Sequence, residues 1–190
     1  DHLMAIPILA DHVRTLVDDV DNVTVVSPDT GRVRVAEQWA ERLGGSPLAF
    51  VHKTRDITVP NQAVSKEVVG QVAGRTCVLI DDMIDTAGTI TGAVKVLKAA
   101  GAKDVIIAAT HAVFSGPAVE RVTNSVMKSL VITDSIQPTD AVRNAPNIRI
   151  VPTAPMFTQA ILNIWNGTSV SSLFETDTLL PIYEGLYSSL

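Results

Sequence analysis

Hydrophobic positions in this chain form short unbroken runs, separated by stretches in which the spacing changes to three or four residues. Residues 23–27, 47–52, 77–80, 105–110, 130–133 and 148–151 read as strands. Their apolar residues do not alternate with polar ones. Both faces of each strand must therefore be covered, which is the habit of a parallel sheet. Residues 64–72 alternate in part and read as an antiparallel ribbon off the sheet. Between the runs, helical spacing links Leu3, Ile6, Leu9, Val13, Leu16 and Val17, then Val33, Ala36, Trp39, Ala40 and Leu43, then Ile90, Ala93, Val94 and Leu97. Residues 116–125 and 155–165 read as further helices, the second with Ile161, Leu162 and Trp165 packing inward. Gly44, Gly45 and Ser46 mark a turn, Gly74 and Arg75 another, and Gly101 ends the helix after Thr89. The pattern predicts an α/β fold, a mainly parallel open sheet with helices on both faces. One domain is expected over residues 1–174. Residues 175–190 form an extension whose Leu179, Leu180, Ile182, Tyr183, Leu186 and Tyr187 read as a docking tail.

The chain is organised around the stretch from Cys77 to Thr89. A buried strand is expected to end at two adjacent carboxylates, Asp81 and Asp82. Asp85, Thr86, Ala87, Gly88 and Thr89 then lead into a helix. In open α/β sheets, ligands bind where strands end and helices begin. Backbone N–H groups at the start of such a helix bind phosphate. The two acids repel phosphate and suit hydroxyl groups or a hydrated metal ion. A ligand with a phosphate and vicinal hydroxyls satisfies both halves, and a sugar phosphate is the simplest one.

A strand–acid–glycine–helix plan also occurs at Ser27-Pro28-Asp29-Thr30-Gly31. Asp29 reads either as a helix cap or as a ligand for Mg2+, which takes few protein carboxylates and keeps waters and substrate phosphates. Lys53, Thr54, Arg55 and Asp56 open a polar loop running to about Gln62. It is either a solvated hairpin tip or a cationic loop suited to phosphoryl-type transfer, whose transition state spreads negative charge over oxygens. His111 falls at the carboxyl end of a strand, on the ligand side. His2, His12 and His52 read as surface or packing residues.

Composition narrows the class. Of 190 residues, 46 % are apolar and 18 % charged, which excludes a disordered chain. A net charge of −5 offers no attraction for nucleic acid or an anionic membrane. Cys77 is the one cysteine, so neither a disulfide framework nor a cysteine metal site forms within the chain. No apolar run reaches the roughly 20 residues of a membrane span; no signal peptide and a cytoplasmic setting are expected. There is no P-loop lysine motif, no dinucleotide glycine fingerprint and no nucleophile elbow. The chain opens on Asp1-His2-Leu3 without a Met, and an upstream part is expected to be missing.

The run from Val78 to Thr89, with its acid pair and its Asp85–Thr89 loop, resembles the phosphoribosyl-diphosphate (PRPP) signature of type I phosphoribosyltransferases. Three neighbouring motifs are similar to one branch, the ribose-phosphate pyrophosphokinases or PRPP synthetases. These are the Ser27–Gly31 segment, the Lys53/Arg55 pair, and Ser169-Val170-Ser171-Ser172-Leu173-Phe174 near the end, which by its residues alone reads as a polar turn plus a short closing strand. The resemblance covers residues 1–174 and implies a phosphoribosyltransferase-like fold, the C-terminal half of a synthetase. It implies transfer of the β,γ-diphosphoryl group of Mg-ATP to the C1 hydroxyl of ribose 5-phosphate, giving PRPP and AMP. On that resemblance Lys53 and Arg55 are catalytic. Ribose 5-phosphate is bound by Arg55, Asp81, Asp82, Asp85, Thr86, Ala87, Gly88 and Thr89. Asp29 serves Mg2+, and Ser169, Ser171 and Ser172 line a regulatory site. The implied partners are ATP, ribose 5-phosphate, the missing N-terminal half and further copies of the subunit, a hexamer in the full-length family. The chain departs from the family pattern at Arg32, where a second glycine is usual, and at Val35, where a basic residue often sits; altered surface contacts are expected there. A base phosphoribosyltransferase and a non-catalytic synthetase-associated subunit are the alternatives.

Overall fold

A computed structural model describes residues 2–54, 65–175 and 178–187. The first helix, α1 (Ile6–Leu16), starts with Pro7 in its first turn, where the missing N–H costs nothing. Strand β1 (Val23–Ser27) follows and is buried along its whole length. A short 3-10 turn, Thr30–Arg32, leads into α2 (Val33–Arg42), which buries Ala36, Trp39 and Ala40. Then come β2 (Leu48–Thr54), β3 (Ser65–Val69) and the long β4 (Thr76–Ile84). Helix α3 (Gly88–Ala99) is closed by Gly101 at φ +90°, a left-handed conformation that glycine adopts without strain. The remainder alternates β5 (Asp104–Ala112), α4 (Ala118–Thr123), β6 (Ser129–Thr133), α5 (Asp140–Arg143), β7 (Ile148–Val151) and α6 (Ala154–Trp165). A 3-10 turn, Ser171–Phe174, and helix α7 (Leu180–Tyr187) complete it.

The seven strands form one sheet in the order β3-β2-β1-β4-β5-β6-β7. Only the β2–β3 pair is antiparallel; the other pairs run parallel. The expected ribbon at 64–72 is this β2–β3 pair. Strand β4 shows why the central run is apolar throughout. Cys77 and Leu79 pack into the cluster formed with α3, α4 and α5. Val78 and Ile80 pack into the opposite cluster with α1, α2, α6 and α7. Successive side chains on a strand point to opposite faces, so a strand with helices on both sides needs an apolar residue at every position.

Three expectations require correction. Strand β4 does not end at the acid pair. It continues to Ile84, with Asp81 opposite Ala109, Met83 opposite His111 and Ile84 opposite Ala112. The equally long β5 supplies backbone partners beyond the apolar run. Helix α6 does not turn Ile161, Leu162 and Trp165 inward. They are 64 %, 46 % and 86 % exposed, and its buried residues are Met156, Ala160 and Asn163. The segment ending at Phe174 is a 3-10 turn and not a closing strand, with Ser172 Oγ donating to the carbonyl of Ser169.

The tail after Phe174 docks on its own chain. Tyr183 is fully buried; its hydroxyl donates to the carbonyl of Pro152 at 2.7 Å and accepts from the N–H of Met156 at 3.2 Å. Tyr187 donates to the carbonyl of Ile8 at 2.9 Å and its ring lies against His12.

Candidate active site

The sheet order places the switch point between β1 and β4. From β1 the chain moves outward to β2 on one side, whereas β4 lies on the other side. The crevice beyond the carboxyl ends of two such strands is where open α/β sheets hold ligands. Here β1 delivers Asp29 and the Thr30–Arg32 turn, and β4 delivers Asp81 and Asp82. A cavity of about 340 Å³ is lined by Arg32, Asp81, Asp82, Thr110 and His111, and floored by Trp39 and Ile80.

Asp29 caps its turn: Oδ1 accepts from the N–H of Gly31 at 2.9 Å. The capping reading of Asp29 is therefore realised in the structure. Its carboxylate still adds to the negative field at Arg32, whose guanidinium lies among three acids. Arg32 Nη2 donates to Asp82 Oδ1 at 2.8 Å, and Nε lies 3.7 Å from Asp81 Oδ1. The altered contact expected at this departure from the family pattern is one with the acid pair itself. Arg32 reaches into the acid pair because β1 and β4 are neighbours in the sheet.

The two acids differ in environment. Burial pushes Asp81 up to about 6, against the opposing hydrogen bond from the N–H of Asp82 and the charge of Arg32. Burial also raises Asp82, but the hydrogen bonds from Arg32 and Asp81 outweigh it and hold it below the usual carboxylate range. At neutral pH both present oxygens that accept from hydroxyl donors.

The Asp85–Thr89 loop joins this pair to α3. Ala87 adopts the left-handed conformation at φ +60°, and no side chain caps the helix start. Uncapped first-turn N–H groups are the donors that phosphate needs. The loop is fastened from behind: the carbonyl of Asp85 accepts from the N–H of Ser115 at 3.1 Å, and that of Thr86 from Arg121 Nη1 at 2.9 Å. A Cβ at position 88 would stand 3.5 Å from the same Arg121 nitrogen. Asp81, Asp82, Asp85, Thr86, Ala87, Gly88 and Thr89 thus follow one another along the rim of one sheet end.

His111 lies within β5 and not after it. Its Nδ1 is 2.9 Å from Ser135 Oγ, which itself donates to the carbonyl of Thr110 at 3.1 Å. Lys53 is in β2 with its backbone opposite Lys66; Arg55 falls outside the described residues. Ser171 and Ser172 belong to the turn packed against α6, and Ser169 just before it accepts at its carbonyl from Asn163 Nδ2. The nearby cavity of about 480 Å³ is lined by Arg14, Arg42 and Phe174, not by the serines. Among the described residues no group of three or more His, Cys, Asp and Glu side chains could hold a metal ion. That leaves the donor set compatible with Mg2+, which needs one or two carboxylates plus water and phosphate oxygens. Among the described residues no helix is long and apolar enough to cross a membrane.

The contacts that two residues make with the site carry no local signal in the sequence, those of Arg32 and Arg121. Each acts on an element remote in the chain and adjacent in the fold.

A family model described as the phosphoribosyl synthetase-associated domain matches residues 53–175. The ribose-phosphate pyrophosphokinase of Cereibacter sphaeroides is 57 % identical over 188 residues, which is 98 % of this chain and 55 % of that protein. The enzyme of the same name from Bifidobacterium longum is 55 % identical over 177 residues, 93 % of this chain and 52 % of the other. The crystal structure of phosphoribosylpyrophosphate synthetase from Mycobacterium smegmatis superposes with a TM-score of 0.77 at 43 % identity, covering 88 % of this chain and 52 % of that one. The chain spans about half the length of the relatives it matches.

Proposed function

The chain belongs to the ribose-phosphate pyrophosphokinase family, and on that premise we propose that it is the ribose 5-phosphate-binding half of such an enzyme. One observation carries the reading. Asp81 and Asp82, neighbours in the rim of the sheet, lead within a few residues to the uncapped start of α3. Acceptors for sugar hydroxyls and donors for a phosphate are thereby set on one rigid rim, which is how a bound sugar is oriented for attack by its C1 oxygen.

The remaining roles follow from charge. The backbone of Asp85 to Thr89 holds the 5-phosphate, and Asp81 and Asp82 accept from the ribose hydroxyls. Lys53 lies in β2, and its cation and that of Arg55, two positions on in the sequence, stabilise the diphosphoryl group in transfer from ATP to the C1 hydroxyl. His111 lines the same cavity. Asp29 would hold Mg2+, which neutralises diphosphate charge when bound. ATP and Mg2+ come into this picture from the family.

The test is calorimetric titration of ribose 5-phosphate into this chain, with and without Mg2+ and ATP, beside a coupled assay for AMP release. Saturable 1:1 binding with little AMP formation is expected, because the other half of the relatives' length is not in this chain. A ligand-soaked crystal with ribose 5-phosphate away from residues 81–89 would refute the assignment, and full turnover by this chain would refute the division of labour.

A further inference from the structure

Arg32 is the last residue of the Asp29-capped turn and the N-cap of α2. Its backbone is fixed by both elements, and its guanidinium crosses from the β1 side of the crevice to the β4 side. There Nη2 meets Asp82 Oδ1 at 2.8 Å. A hydroxyl bonding to a carboxylate oxygen needs roughly 2.5 to 3.0 Å, so a sugar hydroxyl approaching Asp82 Oδ1 from the cavity meets the guanidinium. The side chains of Arg32 and Asp82 are 34 % and 56 % exposed. Pairs so open to water exchange readily, since solvation repays most of what separation loses.

We propose that Arg32 is a built-in counter-ion of the Asp81/Asp82 pair that competes with sugar hydroxyls for Asp82, and so sets the affinity of the site for its sugar phosphate. This rests on the ribose 5-phosphate reading above. It assigns Arg32 a part that a glycine at the same position could not play.

Removing Arg32 also withdraws a positive charge from a dianionic ligand, which by itself weakens binding at long range. A double-mutant cycle separates the two effects. Ribose 5-phosphate is titrated calorimetrically into the parent chain, Arg32→Ala, Asp82→Asn and the double variant, each first checked for folding by thermal melting. The Arg32→Ala effect on Kd is expected to be more favourable by roughly two- to tenfold when Asp82 is present than when Asn replaces it. A ratio of one, or a ratio in the opposite sense, overturns the proposal. If Asp82→Asn abolishes binding, the Arg32 Nε–H NMR resonance, assigned by its loss in Arg32→Ala, decides. Saturating ribose 5-phosphate should move it in the parent towards its position in Asp82→Asn, and an unmoved resonance overturns the proposal. Absence of binding to parent and variants alike removes the sugar-phosphate reading and this inference with it, whereas binding without coupling removes the inference alone.

Discussion

Asp81 and Asp82 are the same side chain at adjacent positions, and their surroundings set them apart. Burial lifts Asp81 to about 6, whereas Arg32 holds Asp82 low. Protonation turns one oxygen of an aspartate into a donor and weakens its acceptance of hydroxyls. Affinity for ribose 5-phosphate is therefore expected to strengthen as pH rises through about 6. The ligand's own phosphate titrates near there too, so the measurement is the difference between the parent and Asp81→Asn. Titrations at pH 5 and pH 8 should show the parent gaining more than the variant; equal gains contradict the role of Asp81. The acids and the Asp85–Thr89 loop were legible in the sequence because they are contiguous and end an apolar run. Arg32 was not, because its meeting with Asp82 depends on strand neighbours that no local spacing reveals.

At the scale of elements, continuous runs were easy to read. Strands β1 and β7 coincide with their expected spans, since apolar residues on both faces mark a buried strand from end to end. Strand β4 overran its apolar run because ladder bonds follow the partner's backbone, not hydrophobicity. Helix α6 was misread for a different reason. Phe157, Ile161, Leu162, Ile164 and Trp165 are exposed, while Met156 and Ala160 are buried. A helix apolar on all sides has no stripe to show which face turns inward. The structure makes a plain forecast here. Of the two tryptophans, Trp39 is 3 % exposed and Trp165 86 %. Iodide should quench roughly one component of the fluorescence, and Trp165→Ser should remove that component while changing stability by no more than about 0.5 kcal/mol. A large loss of stability would contradict the outward placement of this helix face.

Over the whole molecule, the sheet divides two apolar layers, and the layer with α1, α2, α6 and α7 contains a buried histidine. His12 is 1 % exposed, its ring nitrogens have no hydrogen-bond partner among the described residues, and burial, with the charge of Arg149, lowers it to about 4. Its ordinary value in an unfolded chain is 6.5. Between these values the unfolded chain binds the proton and the folded one does not, so stability falls as pH drops from 6.5 towards 4. The loss reaches about 3 kcal/mol at most. Melting temperatures measured from pH 7.5 to 4.5 should decline in the parent and decline less in His12→Leu. A slope unchanged by that substitution would place the acid sensitivity elsewhere. The general α/β plan was readable from alternating runs and helical spacing; which polar residues the layers enclose was not, since that follows from how the last helix lies on the first.

Tyr187 bonds to Ile8 across 179 positions of chain. A link of that span costs roughly 4 to 5 kcal/mol in closure entropy, a debt met only once most of the intervening sheet exists. Helix α1 is thus synthesised long before the tyrosines that cover it. During that interval its greasy side stands open to the cell's holding factors, and closure of this layer waits on the arrival of α7, about two turns of helix.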